Sequence, residues 1–219
     1  MRQSSIHSRL CSVLCAATLI LTVLPGASHA QGRAGCQGPE RPSLGIALGR
    51  SSPYLELARG VVDPGPGGTV RVTGGSQLTA RGDVSIAGPL RFRVEGATTE
   101  WQVGLRTFSP VPPYEVIADT SAGHITVRQI TAAVGLQGGR APVCGHVLVG
   151  GGMYWLNYRG AALRRPGISL SAGIEVPTGS RGAVQADVQL QMINTGYAHP
   201  VNMSTVLAAS LSIGWAFRF

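Results

Sequence analysis

The segment Met203–Phe219, MSTVLAASLSIGWAFRF, decides the fold. Its odd positions read Met203, Thr205, Leu207, Ala209, Leu211, Ile213, Trp215, Phe217 and Phe219. Its even positions read Ser204, Val206, Ala208, Ser210, Ser212, Gly214, Ala216 and Arg218. The first set is apolar and ends in aromatics; the second is mostly small or polar. Side chains of a strand alternate between two faces, whereas a helix repeats its apolar positions every three or four residues. The segment is therefore a strand. It is far longer than the roughly 5–6 residues of an ordinary strand, and longer than the roughly 9–11 that cross a bilayer at a tilt.

Working outward, the same design recurs. Val184, Ala186, Val188, Leu190 and Met192 alternate with Gln185, Asp187, Gln189 and Gln191. Ile168, Leu170, Ala172, Ile174 and Val176 alternate with Ser169, Ser171, Gly173 and Glu175. Leu78 to Ile86 and Leu90 to Gly96 do likewise, setting Arg81, Asp83, Arg91, Arg93 and Glu95 on the polar side. Two central segments are less regular. In 124–137, Ile130, Ala132, Val134 and Leu136 share one parity but Ile125 and Val127 take the other, so a bulge is expected there. In 142–158 two parities compete, and Gly150-Gly151-Gly152 suggests a bulge or bend. The first strand is 43–49, 54–62 or 69–74. Short links fall at 87–89, 138–142 and 177–182, and long ones around 50–77, 104–122, 159–165 and 195–202. This alternation predicts an antiparallel up-and-down barrel of about eight strands, with short turns at one end.

The 219-residue chain opens with Arg2 and Arg9, an apolar run Leu10–Leu24, the breaker Pro25-Gly26 and the small-residue site Ser28-His29-Ala30. That is the layout of a cleaved export signal, residues 1–30, ahead of a mature domain 31–219 whose first stretch, 31–42, precedes the barrel. Cys11 and Cys15 sit too early in the run for a lipoprotein leader. The net charge is +8, and all 18 basic residues are arginine. They are scattered, so no nucleic-acid partner is expected. No long apolar stretch follows residue 30, which excludes a helical membrane protein. The 31 glycines and 14 prolines suit many strands joined by turns.

A soluble barrel has an apolar interior and a polar surface, and a membrane barrel reverses the two. The polar faces here carry few ions, balanced in sign: Arg81, Arg91, Arg93 and Arg218 against Asp83, Glu95, Glu175 and Asp187. A solvated surface would carry more charge, lysine included. The balanced set suits a narrow lumen in which buried ions must pair.

The ending Leu211, Ile213, Trp215, Phe217, Phe219 resembles the C-terminal signature of bacterial outer-membrane β-barrels. The layout of the preceding chain is similar to the small OmpA/OmpX-like eight-stranded class. The resemblance implies an outer-membrane location, contact with outer-membrane lipid, and a last strand read by the barrel-assembly machinery. Aromatics make up only 5% of the chain, so the double aromatic girdle of such barrels would be thin. The implied topology sets Cys36 and Cys144 at the periplasmic end, and a disulfide between them is expected; two free thiols are the alternative. A monomer is expected.

No residue set marks a catalytic or metal centre, and no cofactor is expected. His124 with Ser121 or Thr126, His146 and His199 lack a carboxylate at a recognisable spacing. Arg81-Gly82-Asp83 spells an adhesion-type tripeptide but falls inside a strand. Asn202-Met203-Ser204 fits a glycosylation sequon. The loop Ser109–Tyr114 is proline-rich, which suits either an extended, exposed recognition loop or a stiff connection. The expected role is structural, surface-interacting or adhesive. The alternatives are an enzyme acting on outer-membrane lipid and a soluble barrel holding a small apolar ligand.

Overall fold

A computed structural model describes residues 42–53, 68–108, 116–140, 142–179, 181–195 and 205–219. The expected export signal, Cys36, the candidate strand 54–62, the proline-rich stretch 109–114, His199 and the sequon at Asn202 lie outside them.

The strands run β1 (Ser43–Pro53), β2 (Gly68–Thr73), β3 (Gly75–Ala87), β4 (Leu90–Phe108), β5 (Val116–Arg140), β6 (Val143–Tyr158), β7 (Ala161–Pro177), β8 (Gly182–Asn194) and β9 (Thr205–Arg218). Each pairs antiparallel with its neighbours, and β1 pairs with β9, so β1 and β3 to β9 close a ring of eight. The short β2 pairs with Gln102–Thr107 of β4, beyond the reach of β3. It prolongs the line of β3 past Gly74 rather than adding a wall.

A single hydrogen-bonded row defines the ring geometry. It starts at Ser43 and passes through Asp83, Arg93, Ala133, Gly150, Ser169, Gln191 and Ala208. It returns to β1 at Pro53, ten residues further along. This stagger is the shear of the barrel and forces the strands to tilt. The end holding Ser43, Cys144 and Phe217 is called the base, and the opposite end the rim.

Side-chain exposure settles the orientation. Ile46 and Leu211 are 65% and 62% exposed, whereas Arg93 and Asp187 are 3% and 5% exposed. Leu48, Leu78, Ile130, Val149, Ile174 and Ile213 also face outward. A continuous apolar belt of this size is stable only against hydrocarbon. The soluble barrel with an apolar centre is thereby excluded. Arginine at Ile46, near the middle of the belt, is expected to cost about 2–4 kcal/mol, and arginine at the outward Gln102 of the rim about 0–1. Urea unfolding in lipid vesicles measures both. Equal costs would remove the belt.

Several sequence expectations are corrected. The first strand is 43–53, and 69–74 belongs to the rimward extension of the second wall. The long link expected at 159–165 is a two-residue turn, Arg159-Gly160, with φ of 49° and 85°. Positive φ at both central positions matches the twist of the joined strands, so β7 starts at Ala161. The links at 50–77 and 104–122 are shorter than expected, because β1 reaches Pro53, β2 begins at Gly68, β4 reaches Phe108 and β5 begins at Val116.

No bulge interrupts 124–137: β5 stays in register with β6 from Ile125 to Arg140. The register shift sits rimward, where Val103–Gly104 of β4 face Gly123 and Ser121. Gly150 to Gly152 hold no bulge either. A Cβ at Gly150 would stand 2.2 Å from the Ala132 carbonyl oxygen. Glycine therefore serves close approach of β5 and β6.

The change of parity has a different cause. On β4, outward Phe92 and Val94 lie basal to outward Glu100 and Gln102, while inward Arg91, Arg93 and Glu95 lie basal to inward Trp101, Val103 and Leu105. The strand keeps its two faces, and the environment outside it changes from lipid to water. On β5 and β6 the inward Val127, Ile125, Tyr154 and Leu156 show the same switch.

Candidate functional site

The lumen is layered, and the layers follow from the switch. At the base the polar faces of β3, β4, β6, β7 and β8 converge. Asp83 Oδ1 accepts from Arg91 Nε at 3.0 Å and Arg93 Nε at 2.7 Å. Arg91 Nη1 also donates to Glu175 Oε2 at 3.0 Å and to Gln137 Oε1 at 3.2 Å. Arg93 Nη1 donates to Asp187 Oδ1 at 2.9 Å. Asp187 pairs with Arg81 as well, and Arg218 pairs with Glu175. His146 Nε2 lies 2.6 Å from Asp187 Oδ1. Gln185 Nε2 donates to Glu175 Oε2 at 2.9 Å.

Register explains part of this. Asp83 faces Arg93 directly across β3 and β4, and Arg81 faces Glu95. Glu95, however, accepts from Gln129 Nε2 at 3.3 Å, because Arg81 reaches across the lumen to Asp187. The eight charges named from sequence thus gather in one basal layer. Seven are buried, and Arg218 is 24% exposed. Buried charges need partners and a low-dielectric site makes those partners matter, so the layer acts as a cross-brace.

Above it lies a neutral layer that includes Thr79, Thr131, Ser169, Gln189 and Gln191. The rim layer is a hydrophobic core of Trp101, Val103, Ile125, Val127, Tyr154, Leu156, Tyr158, Ile193 and Val206. Trp101 Nε1 donates to Ser51 Oγ at 3.3 Å. Tyr158 Oη and Arg159 Nη2 both donate to the Ala122 carbonyl at 3.1 Å, fastening the β6–β7 turn to β5. The core was not anticipated. Trp101, Val103 and Leu105 sharing one parity was the signal that could have revealed it.

The other candidates fall apart spatially. His146 is sealed in the lumen at 1% exposure. His124 and Ser121 are exposed on β5 and form no hydrogen bond with each other. Arg81 and Asp83 of the tripeptide both point into the lumen and are buried. Among the described residues no group of His, Cys, Asp and Glu could hold a metal. Cys144 is buried at the base, and Cys36 lies outside the described residues. Leu211, Ile213, Trp215, Phe217 and Phe219 form one exposed outward row, with the Trp215 and Phe217 rings 6.2 Å apart.

No protein-family description matches the chain, and no curated protein matches it by sequence. Solved structures do match. Neisserial surface protein A is 12% identical with a TM-score of 0.53, over 81% of this chain and 97% of that one. OprG, an outer membrane protein from Pseudomonas aeruginosa, is 13% identical with a TM-score of 0.54, over 84% and 98%. The outer membrane protein AlkL, determined in DMPC bilayers, is 13% identical with a TM-score of 0.50, over 89% and 97%. At these identities the likeness is one of fold.

Proposed function

We propose, from the premise that this chain is a small eight-stranded β-barrel of the bacterial outer-membrane type, that it is a non-conducting, monomeric surface protein. In this reading the barrel is an anchor and the rim is the working part. One observation carries it: the lumen is filled from the ionic brace at the base to the Trp101 core at the rim. An eight-stranded interior is just wide enough to be filled by side chains. The rim adds surface. Beyond Val103, β4 continues between β2 and the start of β5 as a three-stranded projection, bearing the exposed Arg106–Asp119 pair at 2.8 Å. Such a projection suits a structural or adhesive contact.

The reading assigns no catalysis, since among the described residues His124, His146 and Ser121 are not assembled with one another. It keeps the outward row from Leu211 to Phe219 as the assembly signal. It keeps a Cys36–Cys144 disulfide tethering the N-terminal segment to the base, which a mass measurement without reductant should show as two hydrogens lost.

The test joins fractionation with conductance. The protein should sediment with membranes, shift on gels between unheated and boiled samples, and give no stepwise conductance in planar bilayers. Steady single-channel steps would overturn the filled lumen. Recovery in buffer without detergent would overturn the membrane reading itself.

A further inference from the structure

On the outer wall, where the apolar belt gives way to polar residues, one hydrogen-bonded row sets Thr98, Arg128, Trp155 and Arg164 side by side on β4, β5, β6 and β7. All four share the parity of the outward apolar residues on their strands. Arg128 and Arg164 are exposed, and neither makes an ion pair among the described residues. The Arg164 guanidinium carbon lies 5.6 Å from the Trp155 ring centre. Glu100, an outward carboxylate of β4, faces Thr126 across the strand pair, diagonal to Arg128, and forms no ion pair with it.

Against this row the wall is hollow. A cleft of about 700 Å³ crosses β3 to β7. Its basal part is floored by Ala80 and Gly96 and flanked by Leu78 and Ile130, all within the apolar belt. Its rimward part is polar, with Arg128, Thr126 and Asn157. The cleft is therefore amphiphilic along the barrel axis, apolar toward the bilayer interior and cationic toward its surface.

We propose that this cleft is a binding site for one phosphate-bearing membrane lipid. An acyl chain lies over Ala80 and Gly96, and the phosphate is held by Arg128 and Arg164 beside Trp155. Arginine matches phosphate with paired, charge-assisted hydrogen bonds. Tryptophan favours the level at which headgroups lie. An arginine on a lipid-facing wall is tolerable near the interface, where a phosphate can neutralise it. The inference rests on the membrane reading and deepens it by naming the lipid class and the place.

Retention of dioleoyl phosphatidic acid by the detergent-solubilised full chain, read by native mass spectrometry, tests it. Dioleoylglycerol supplies the same chains without phosphate, and inorganic phosphate supplies the anion without chains. Wild type should retain phosphatidic acid at least about tenfold better than either, the scale of one charge-assisted hydrogen bond. Arg128→Gln with Arg164→Gln should lower retention by about tenfold or more, with the heat shift unchanged. Gly96→Leu should lower it too without touching a charge, since a Cβ there meets only the Gln129 carbonyl at 3.9 Å. Equal retention of dioleoylglycerol, equal binding of inorganic phosphate, or unaltered binding by both variants would overturn the site. A barrel that inserts and shifts yet shows those results loses only this inference.

Discussion

Replacing Asp187 by alanine is expected to destabilise the folded barrel by about 3–5 kcal/mol. Asp187 is the shared acceptor of Arg93 at 2.9 Å and His146 at 2.6 Å, and it also pairs with Arg81. Removing it leaves Arg81 and Arg93 buried, with the acceptor that joins them gone. Asp119 supplies the internal comparison. Its pair with Arg106 also closes at 2.8 Å, but the two side chains are 49% and 35% exposed. Water and salt screen such a pair, so Asp119→Ala should cost about 0–1 kcal/mol. Denaturant unfolding of both variants in the same vesicles separates the cases. Matching losses would mean that the basal layer is as wet as the rim.

The second large effect is expected from Trp101→Ala, at about 3–5 kcal/mol. Trp101 is fully buried at the rim, among Val103, Ile125, Tyr154 and Val206. Its loss opens a cavity and removes the hydrogen bond to Ser51. Tryptophan emission offers a further check, because Trp155 and Trp215 face outward while Trp101 does not. The variant should lose the emission component that quenchers carried on the lipid acyl chains do not reach. Unchanged stability would show that the rim is not a packed core.

Residue by residue, the sequence was most readable where a strand stays within one environment. Leu211, Ile213, Trp215 and Phe217 on β9, and Val184 to Met192 on β8, alternate cleanly because their outward side meets lipid over most of its length. The lumenal ions were visible for the same reason: each sits among apolar neighbours of opposite parity. Their pairings were not visible, since Asp187 and Arg93 lie on strands that do not touch and meet only across a closed lumen.

The strands that leave the belt misled. On β4 the apolar set moves from Phe92 and Val94 to Trp101 and Val103, and on β5 from Ile130 to Val127. A period-two reading takes that move as a bulge or a loop, although the backbone continues without change of phase. Arg164 misled similarly. A charge after Arg159-Gly160 suggests a loop, yet it belongs to a strand whose outer side has reached the headgroup level. The amphiphilic cleft was illegible because it joins five strands, and its hollow comes from small residues such as Ala80 and Gly96 that carry no pattern of their own.

Ring closure has a consequence for how the chain reaches its final state. The pairing of β1 with β9 joins Ser43 to Arg218, close to the greatest sequence separation the described chain contains. Every other seam zips between near neighbours, but this one must wait for both extremities and bear a large entropy of loop formation. Until it latches, two bare strand edges persist, each a template for a foreign chain. Assembly should therefore be slow and all-or-none at its last step, and the unlatched form should be the species that aggregates.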